Sequence, residues 1–511
     1  MHTITRCRFS RPANRTSQVL RSVFVCIFLS ACTVGPDYRK PPIDIPETFK
    51  EGVTWERAQT GTQPALSSQW WQIYGDTVLS DTITRALGAN QSIVAAEAAY
   101  RLAQATVASS SASLFPVVTA GAAASRGVPS TNSAASPQTS VSTSVAVSWE
   151  PDLWGEVRRQ IESSKGSAQA SDALLAGTQL SVAASVAAYY FSLRQFDIDI
   201  ALLDQQQQLS AKLLDMTRAA LLQGTASNDS ILVAQDTLES VIANQQTVKT
   251  SREQYEHAIA VLVGVAPAEF SIAPRNDYTF TLPVVPSVLP SQLLQRRPDI
   301  VASERTAAAA NAKIGVAQAA FFPSLDLAAQ GGFQHNSFAQ LFSLPNLIWS
   351  LGPSLTATLF DGGARTAAVQ GARATYDEDV ALYRGTVLSA FQSVEDSLSA
   401  STHLKEEVTA YADIYQRNQQ LFQSTQAQVT AGTISQQSLL TQQLTLLQAE
   451  QSLKDTQALL VQSSVTLIKN VGGGWQQTAE TGADAGASGT TNPPSQGDAS
   501  GSTAPSAAGT K

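Results

Sequence analysis

Cysteine, histidine and charge are scarce in this chain of 511 residues, with 3 Cys, 4 His and 14% charged side chains. Cys7, Cys26 and Cys32 all fall in the first 32 residues, so no disulfide within the body of the protein is expected. His2, His257, His335 and His403 are scattered without metal-ligand spacing, and there is no G-x-S-x-G elbow, phosphate loop or Cys/His cluster. An enzyme is therefore not expected, and neither a metal nor a cofactor is. Carboxylate pairs such as Asp197/Asp199 and Glu406/Glu407 read as solvated helix charges. Basic clusters are missing too, which argues against nucleic acid as a partner. Beyond the first 31 residues no run of eighteen or more apolar residues occurs, so no membrane-spanning helix is predicted.

The two ends read as non-globular. Arg6, Arg8, Arg11, Arg15 and Arg21 precede a short apolar core, Val23 to Leu29, and then Leu29-Ser30-Ala31-Cys32. That order resembles a bacterial lipoprotein signal over 1–31, cleaved before Cys32, which would then be acylated. Thr33 rather than Asp follows, which by resemblance to sorting rules favours outer-membrane delivery. Removal of five arginines leaves 28 basic against 41 acidic residues, a net charge of −13. The segment 476–511 is Gly, Ala, Ser, Thr and Pro with little else and is expected to be a disordered tail.

What the chain has in plenty is itself, twice. Phe115-Pro116 returns as Phe322-Pro323, and Leu153-Trp154-Gly155-x-x-Arg158 as Phe360-Asp361-Gly362-x-x-Arg365, both at an offset of 207. Gly224-Thr225-x-Ser227-x-x-Ser230-x-Leu232 returns as Gly432-Thr433-x-Ser435-x-x-Ser438-x-Leu440 at 208. A period this long means two copies of one supersecondary unit rather than a short-repeat solenoid. The expected organisation is an extended N-terminal segment over 32–75, a first repeat over 76–270, a Pro-rich linker over 271–290 and a second repeat over 291–475.

Each repeat carries two alternating segments, about 116–126 and 139–150, then 323–334 and 348–360. In the clearest, Val141, Thr143, Val145, Val147 and Trp149 alternate with Ser140, Ser142, Ser144, Ala146 and Ser148. Period two with one apolar and one hydroxylated face marks strands, and about ten residues suffice to cross a bilayer at a tilt. The connections Val128 to Gln138 and Gln334 to Ile348 read as extracellular loops. Open sheet edges cannot face lipid, and four strands cannot close a barrel, for which about eight is the minimum. Spanning strands would therefore need several chains, and the residues alone allow two, three or four.

Proline is absent from Glu156 to Gln223 and from Ala364 to Ala431, and both stretches have helical periodicity. Near 70 residues each, they predict helices of about 100 Å. Leu209, Leu213, Met216 and Ala220 suggest a coiled-coil seam in the first. Shorter returning helices are expected over Ser227 to Val263 and Ser435 to Lys469. Gly224 and Gly432 read as left-handed C′ residues, with Ser227 and Ser435 as N-caps. Further helices are expected over about Thr77 to Ser113 and Ser291 to Ala320. The helix surfaces are rich in Gln, Ser, Thr and Ala, which suits a tube wetted on both faces.

With these segments in hand, the chain resembles a known family. Trp70-Trp71 with Gly75-Asp76, Asp152-Leu153-Trp154-Gly155 and Leu294-Gln-Arg-Arg-Pro-Asp-Ile300 are similar to the outer membrane factors. So are Ala312-Lys-Ile-Gly-Val-Ala317, Phe321-Phe322-Pro323, Phe360-Asp361-Gly362-Gly363 and Gly472-Gly473-Gly474-Trp475, in the same order. These are the TolC-like proteins, in particular the NodT-type lipoproteins of RND-type tripartite efflux pumps. The resemblance implies a mainly α fold with β. It implies a homotrimer with a twelve-stranded transmembrane β-barrel, four strands per chain, continuous with a coiled-coil α-barrel in the periplasm. It implies a passive efflux duct for small molecules such as drugs, whose partners are a periplasmic adaptor, an inner-membrane RND-type pump and outer membrane lipid. The turns at Gly224, Thr225, Ser227 and Asp229 and at Gly432, Thr433 and Ser435 would then be the periplasmic tip, gate and adaptor contact. Relatives often carry an acid near the second turn; here Thr433, Ile434 and Ser435 stand there, and Asp229 is the only acid in either. The alternatives are a type I secretion duct for polypeptides, or a non-porous coiled-coil lipoprotein.

Overall fold

A computed structural model describes residues 33–51, 67–128, 137–285 and 296–475. The proposed signal segment, Cys32, most of the Val128–Gln138 connection and the tail from 476 lie outside the described residues.

The elements come in two matching series. A 3-10 turn, Trp70–Tyr74, leads into α1 (Thr77–Ala89) and α2 (Gln91–Ala112), then β1 (Val117–Gly127) and β2 (Gln138–Trp149). Two helices follow, α3 (Glu156–Leu222) and α4 (Asn228–Val263). The second series is α5 (Pro298–Ala319), β3 (Ser324–His335), β4 (Leu347–Thr356), α6 (Ala364–Thr430) and α7 (Gln436–Asn470). Helices α3 and α6 each have 67 residues, while α2 and α5 each have 22 and lie 207 positions apart.

Three expectations need correction. The helix expected over Thr77 to Ser113 is broken at Asn90. The Asn90 carboxamide oxygen accepts from the amides of Ser92 and Ile93, while its Nδ2 donates to the Leu262 carbonyl, so the side chain starts a new helix and fastens it to α4. The last strand ends at Thr356, not at residue 360, because its ladder partner β3 begins at Ser324, directly after Pro323. The seam in the lower half of α3 is also rotated. Leu203, Gln206, Ser210, Leu214 and Thr217 form the buried stripe, with Leu209, Leu213, Met216 and Ala220 half-buried on its flank.

The four strands form one antiparallel sheet in the order β1-β2-β3-β4. Register sets the chemistry of its faces, since residues paired across antiparallel strands share a face. Val118, Ala120 and Ala124 pair with Val147, Val145 and Val141. Val147 and Trp149 pair with Ala329 and Leu327. Ala329, Gly331 and Leu325 pair in turn with Leu351, Trp349 and Leu355. One largely apolar face, interrupted by Thr143, thus runs across both repeats, and it is most open along β4, where Trp349 is 75% and Leu351 77% accessible. The other face carries Thr119, Ser125, Ser140, Ser142, Ser144, Ser148, Asp326, Gln330, Ser350 and Ser354.

Below the sheet the packing is close because the side chains are small. Helix α3 presents Ser163, Ser164, Gly166, Ala168, Ala170 and Ala173 as buried residues, and α5 presents Ala307, Ala309, Ala310, Ala312 and Gly315. A methyl placed on Gly166 would stand 3.1 Å from Ala309, so the helices are near contact there. The main aromatic core lies farther down, where Trp70, Tyr74, Tyr190, Phe191 and Tyr278 surround the middle of α3. By length and composition α3 contains a stretch apolar enough to cross a membrane, but it is also the helix around which this core is built.

Candidate functional site

The two hairpin turns that carry the expected tip residues are built alike. At the first turn, Gly224 has φ +73° and Gly432 at the second has φ +71°. Each closes a Schellman motif. The amides of Gly224 and Thr225 donate to the carbonyls of Leu221 and Ala220, and those of Gly432 and Thr433 to Val429 and Gln428. The Thr225 and Thr433 hydroxyls donate to the same Ala220 and Gln428 carbonyls, at 3.0 and 2.9 Å. Ser227 and Ser435 then cap the returning helices, each accepting at 3.2 Å from the amide three residues on. Asp229 lies in the first turn of α4, where a carboxylate complements the helix dipole.

A Cβ at Gly224 or Gly432 would meet no atom within 4 Å, so these glycines serve backbone conformation and not packing. Leu222 is 89% exposed, and Leu232 and Val233 are also open to water. The two turns differ in charge. Between Arg417 and Glu450, a span that includes the second turn, no ionisable side chain occurs, whereas Lys212, Asp215, Arg218, Asp229, Asp236 and Glu239 flank the first. Among the described residues no group of three or more His, Cys, Asp or Glu could hold a metal ion.

The recurring motifs fasten the sheet to the helices. Asp152 accepts from the amides of Val157 and Arg158 and from Arg158 Nε, capping α3 and holding its own arginine. Asp361 does the same for α6, accepting from the amides of Gly363 and Arg365 and from Arg365 Nε at 2.6 Å. The three backbone and side-chain donors keep the Asp361 carboxyl below its ordinary range. Trp154 stacks on Phe322 at 4.7 Å and donates from Nε1 to the Pro323 carbonyl at 2.8 Å, tying one repeat to the other. Just after position 32, the Val34 amide donates to the Trp154 carbonyl, and Arg159 donates to the carbonyls of Val34 and Gly35 and to Asp37. Val34 and Gly35 are therefore held beside the junction of β2 and α3. Cys32 itself is outside the described residues.

Sequence reasoning missed a buried polar network. Asp197 and Asp199, read as solvated, are only 1% and 4% exposed, whereas Glu406 and Glu407 are indeed exposed. Asp197 accepts from Arg194 Nη1 and Arg252 Nε at 2.7 Å each, and from the Arg275 amide at 3.0 Å. Arg252 also donates to Glu256 and to the Ile272 carbonyl, so the inter-repeat linker is stitched to α3 and α4. Arg194 lies 4.8 Å from the centre of the Tyr190 ring, and Tyr190 donates to Asp76 at 2.7 Å. Burial in this cluster pushes the Tyr190 phenol up to about 12. The signal was present: Arg194 and Asp197 are interspersed among Tyr190, Phe191, Leu193, Phe196 and Ile198.

The family model described as outer membrane efflux protein matches residues 82–265 and 289–473, one segment in each repeat. The toluene efflux pump outer membrane protein TtgC of Pseudomonas putida is 29% identical over 91% of this chain and 97% of its own length. The pyoverdine export outer membrane protein OpmQ of Pseudomonas putida is 30% identical over 84% and 93%. Among solved structures, the outer-membrane channel OprN superposes with a TM-score of 0.78 at 29% identity, covering 87% of this chain and all of that one. The open state of the Neisseria gonorrhoeae MtrE outer membrane channel gives 0.75 at 26% identity, covering 87% and 98%. With an apolar sheet face for lipid and turns at the far end of long helices, the chain belongs to the outer membrane efflux protein family and is an outer membrane efflux channel of TolC-like fold.

Proposed function

We propose that three copies of this chain close a twelve-stranded barrel and form a passive trimeric duct for small, mainly apolar or amphipathic molecules. The observation that carries this reading is the sheet: a largely apolar face over four strands, with β1 and β4 left as open edges. In hydrocarbon every unpaired edge group costs several kcal/mol, so β1 of one copy must pair with β4 of another. The polar face then lines the bore with Ser, Thr and Gln and Asp326. Cys32 carries the acyl anchor. The Gly224–Asp229 and Gly432–Ser435 turns form the periplasmic gate, and the exposed Leu222, Leu232 and Val233 suit contact with the helical tips of an adaptor that joins an inner-membrane RND-type pump. Relatives named for toluene and pyoverdine export favour small-molecule cargo.

The test has three readouts. Purified protein should run as a complex of three chains and form pores in planar bilayers. Affinity capture from membranes should recover an adaptor and a pump. A deletion strain should gain sensitivity to small toxic compounds. A monomer without conductance would remove the duct, and unchanged susceptibility with lost polypeptide secretion would move the cargo to the protein class.

A further inference from the structure

The two hairpins of one chain, α3–α4 and α6–α7, meet chiefly along one seam, α3 against α7. At the centre of that seam two carboxyl groups face each other, Asp199 from α3 and Asp455 from α7. Asp199 is 4% exposed, and its Oδ1 has no hydrogen-bond partner. Gln195 Nε2 donates to Asp455 Oδ1 at 2.9 Å, and Gln206 Nε2 donates to Gln451 Oε1 at 3.3 Å, so Asp455 is fastened beside the turn of α3 that carries Asp199. Two ionised carboxylates cannot hydrogen-bond to one another, so the contact requires one proton shared between Asp199 and Asp455.

Among the described residues no cation pairs with either carboxyl. Asp197 points to the other side of α3, since two residues turn a helix by about 200°, and Arg194, Arg252 and Glu256 are engaged there with it and with each other. Asp76 at the head of α1 is bound by Tyr190. Glu450 of α7 acts on Tyr415 of α6. Lys454 makes no ion pair among the described residues. No charge from α2, α5 or α6 acts on either carboxyl. Burial first, then the neighbouring carboxyl, pushes Asp199 up to about 8.

We propose that Asp199 and Asp455 form a proton-operated latch between the two hairpins, which holds the α3–α7 seam shut in mild acid and releases it as the pH rises. The latch lies roughly 30–35 Å from the turns at 1.5 Å per residue, so a small divergence of the hairpins there becomes a larger one at the gate. This rests on the reading of the turns as the gate. When the seam parts, both carboxyls return to water and to the ordinary range near 4. The latched state therefore binds one more proton than the parted state between about pH 4 and 8, and linkage makes the latch strongest at the acid end of that window and weakest at its alkaline end. The chemistry is proton transfer only.

The experiment uses the full chain in planar bilayers from pH 5.5 to 8.5, beside Asp199→Asn and Asp455→Asn. Wild-type open probability should rise several-fold across this range, while both amide variants, in which an amide N–H donates to the remaining carboxylate and no shared proton is needed, stay near the acid value. Thermal unfolding followed by circular dichroism should show the wild-type midpoint falling over the same range and the variants flat. Pores whose opening ignores pH, or variants with the wild-type pH profile in both measurements, overturn the latch. No pores at any pH, with a melting profile that still follows the pair, would leave the latch standing and remove the duct.

Discussion

Asp197 is the residue on which the middle of the molecule depends most. It is fully enclosed and bridges Arg194 and Arg252, with Glu256 supplying the second negative charge on Arg252. Replacement by Ala leaves the buried Arg194 guanidinium without its anion and leaves Arg252 with Glu256 alone, which is expected to cost about 3–5 kcal/mol. The midpoint of thermal unfolding should fall clearly, and Asp197→Asn should recover part of the loss. The glycines separate into two kinds. Gly224→Val and Gly432→Val meet no neighbour, so the cost is the left-handed backbone alone, about 1–2 kcal/mol. Export should weaken while the oligomer and its barrel form normally; unchanged export in both variants would remove these turns from the gate. Gly472 also has positive φ, but a Cβ there would press on the Arg296 backbone, so Gly472→Val should lower the yield of folded protein.

Among the elements, the sheet shows how much a register matters. Each strand's alternation is visible in its residues, but a slip of one position between β2 and β3 would place Gln330 and Gln334 on the apolar face. The observed pairing makes a sharp contrast available within one strand. Leu351→Arg puts a charge on the lipid face and should cost about 2–4 kcal/mol of membrane stability, read as loss of the heat-resistant oligomer on gels. Ser350→Arg, one residue away, points to the polar face, should assemble, and should shift ion selectivity toward anions. If both assemble equally well, the face assignment is wrong. The long helices were easy to anticipate because 67 residues without proline leave no other option, whereas the break at Asn90 was not, since only the Leu262 carbonyl gives that side chain its second partner.

For the whole molecule, the decisive features are two unpaired strand edges and a pair of quasi-equivalent halves. Single cysteines along β1 combined with cysteines along β4 should cross-link only between copies, giving a ladder that stops at three chains on denaturing gels. A ladder that stops at two or four would change the number of strands in the barrel to eight or sixteen. Doubling of the unit did not produce doubled chemistry. The first turn is flanked by charges and the second by none, so salt should weaken adaptor capture through the first hairpin more than through the second.

Local pattern was enough to reveal the repeat, the strand periodicity, the helix lengths and the glycine turns, because each depends on residues near one another in the chain. Only the folded chain could bring Trp154 to Phe322, Arg252 to Asp197 and Asp199 to Asp455, pairs separated by 168, 55 and 256 positions respectively. Whether a carboxyl is solvated or buried beside another is decided by what packs over it, and periodicity carries no information about the partner helix.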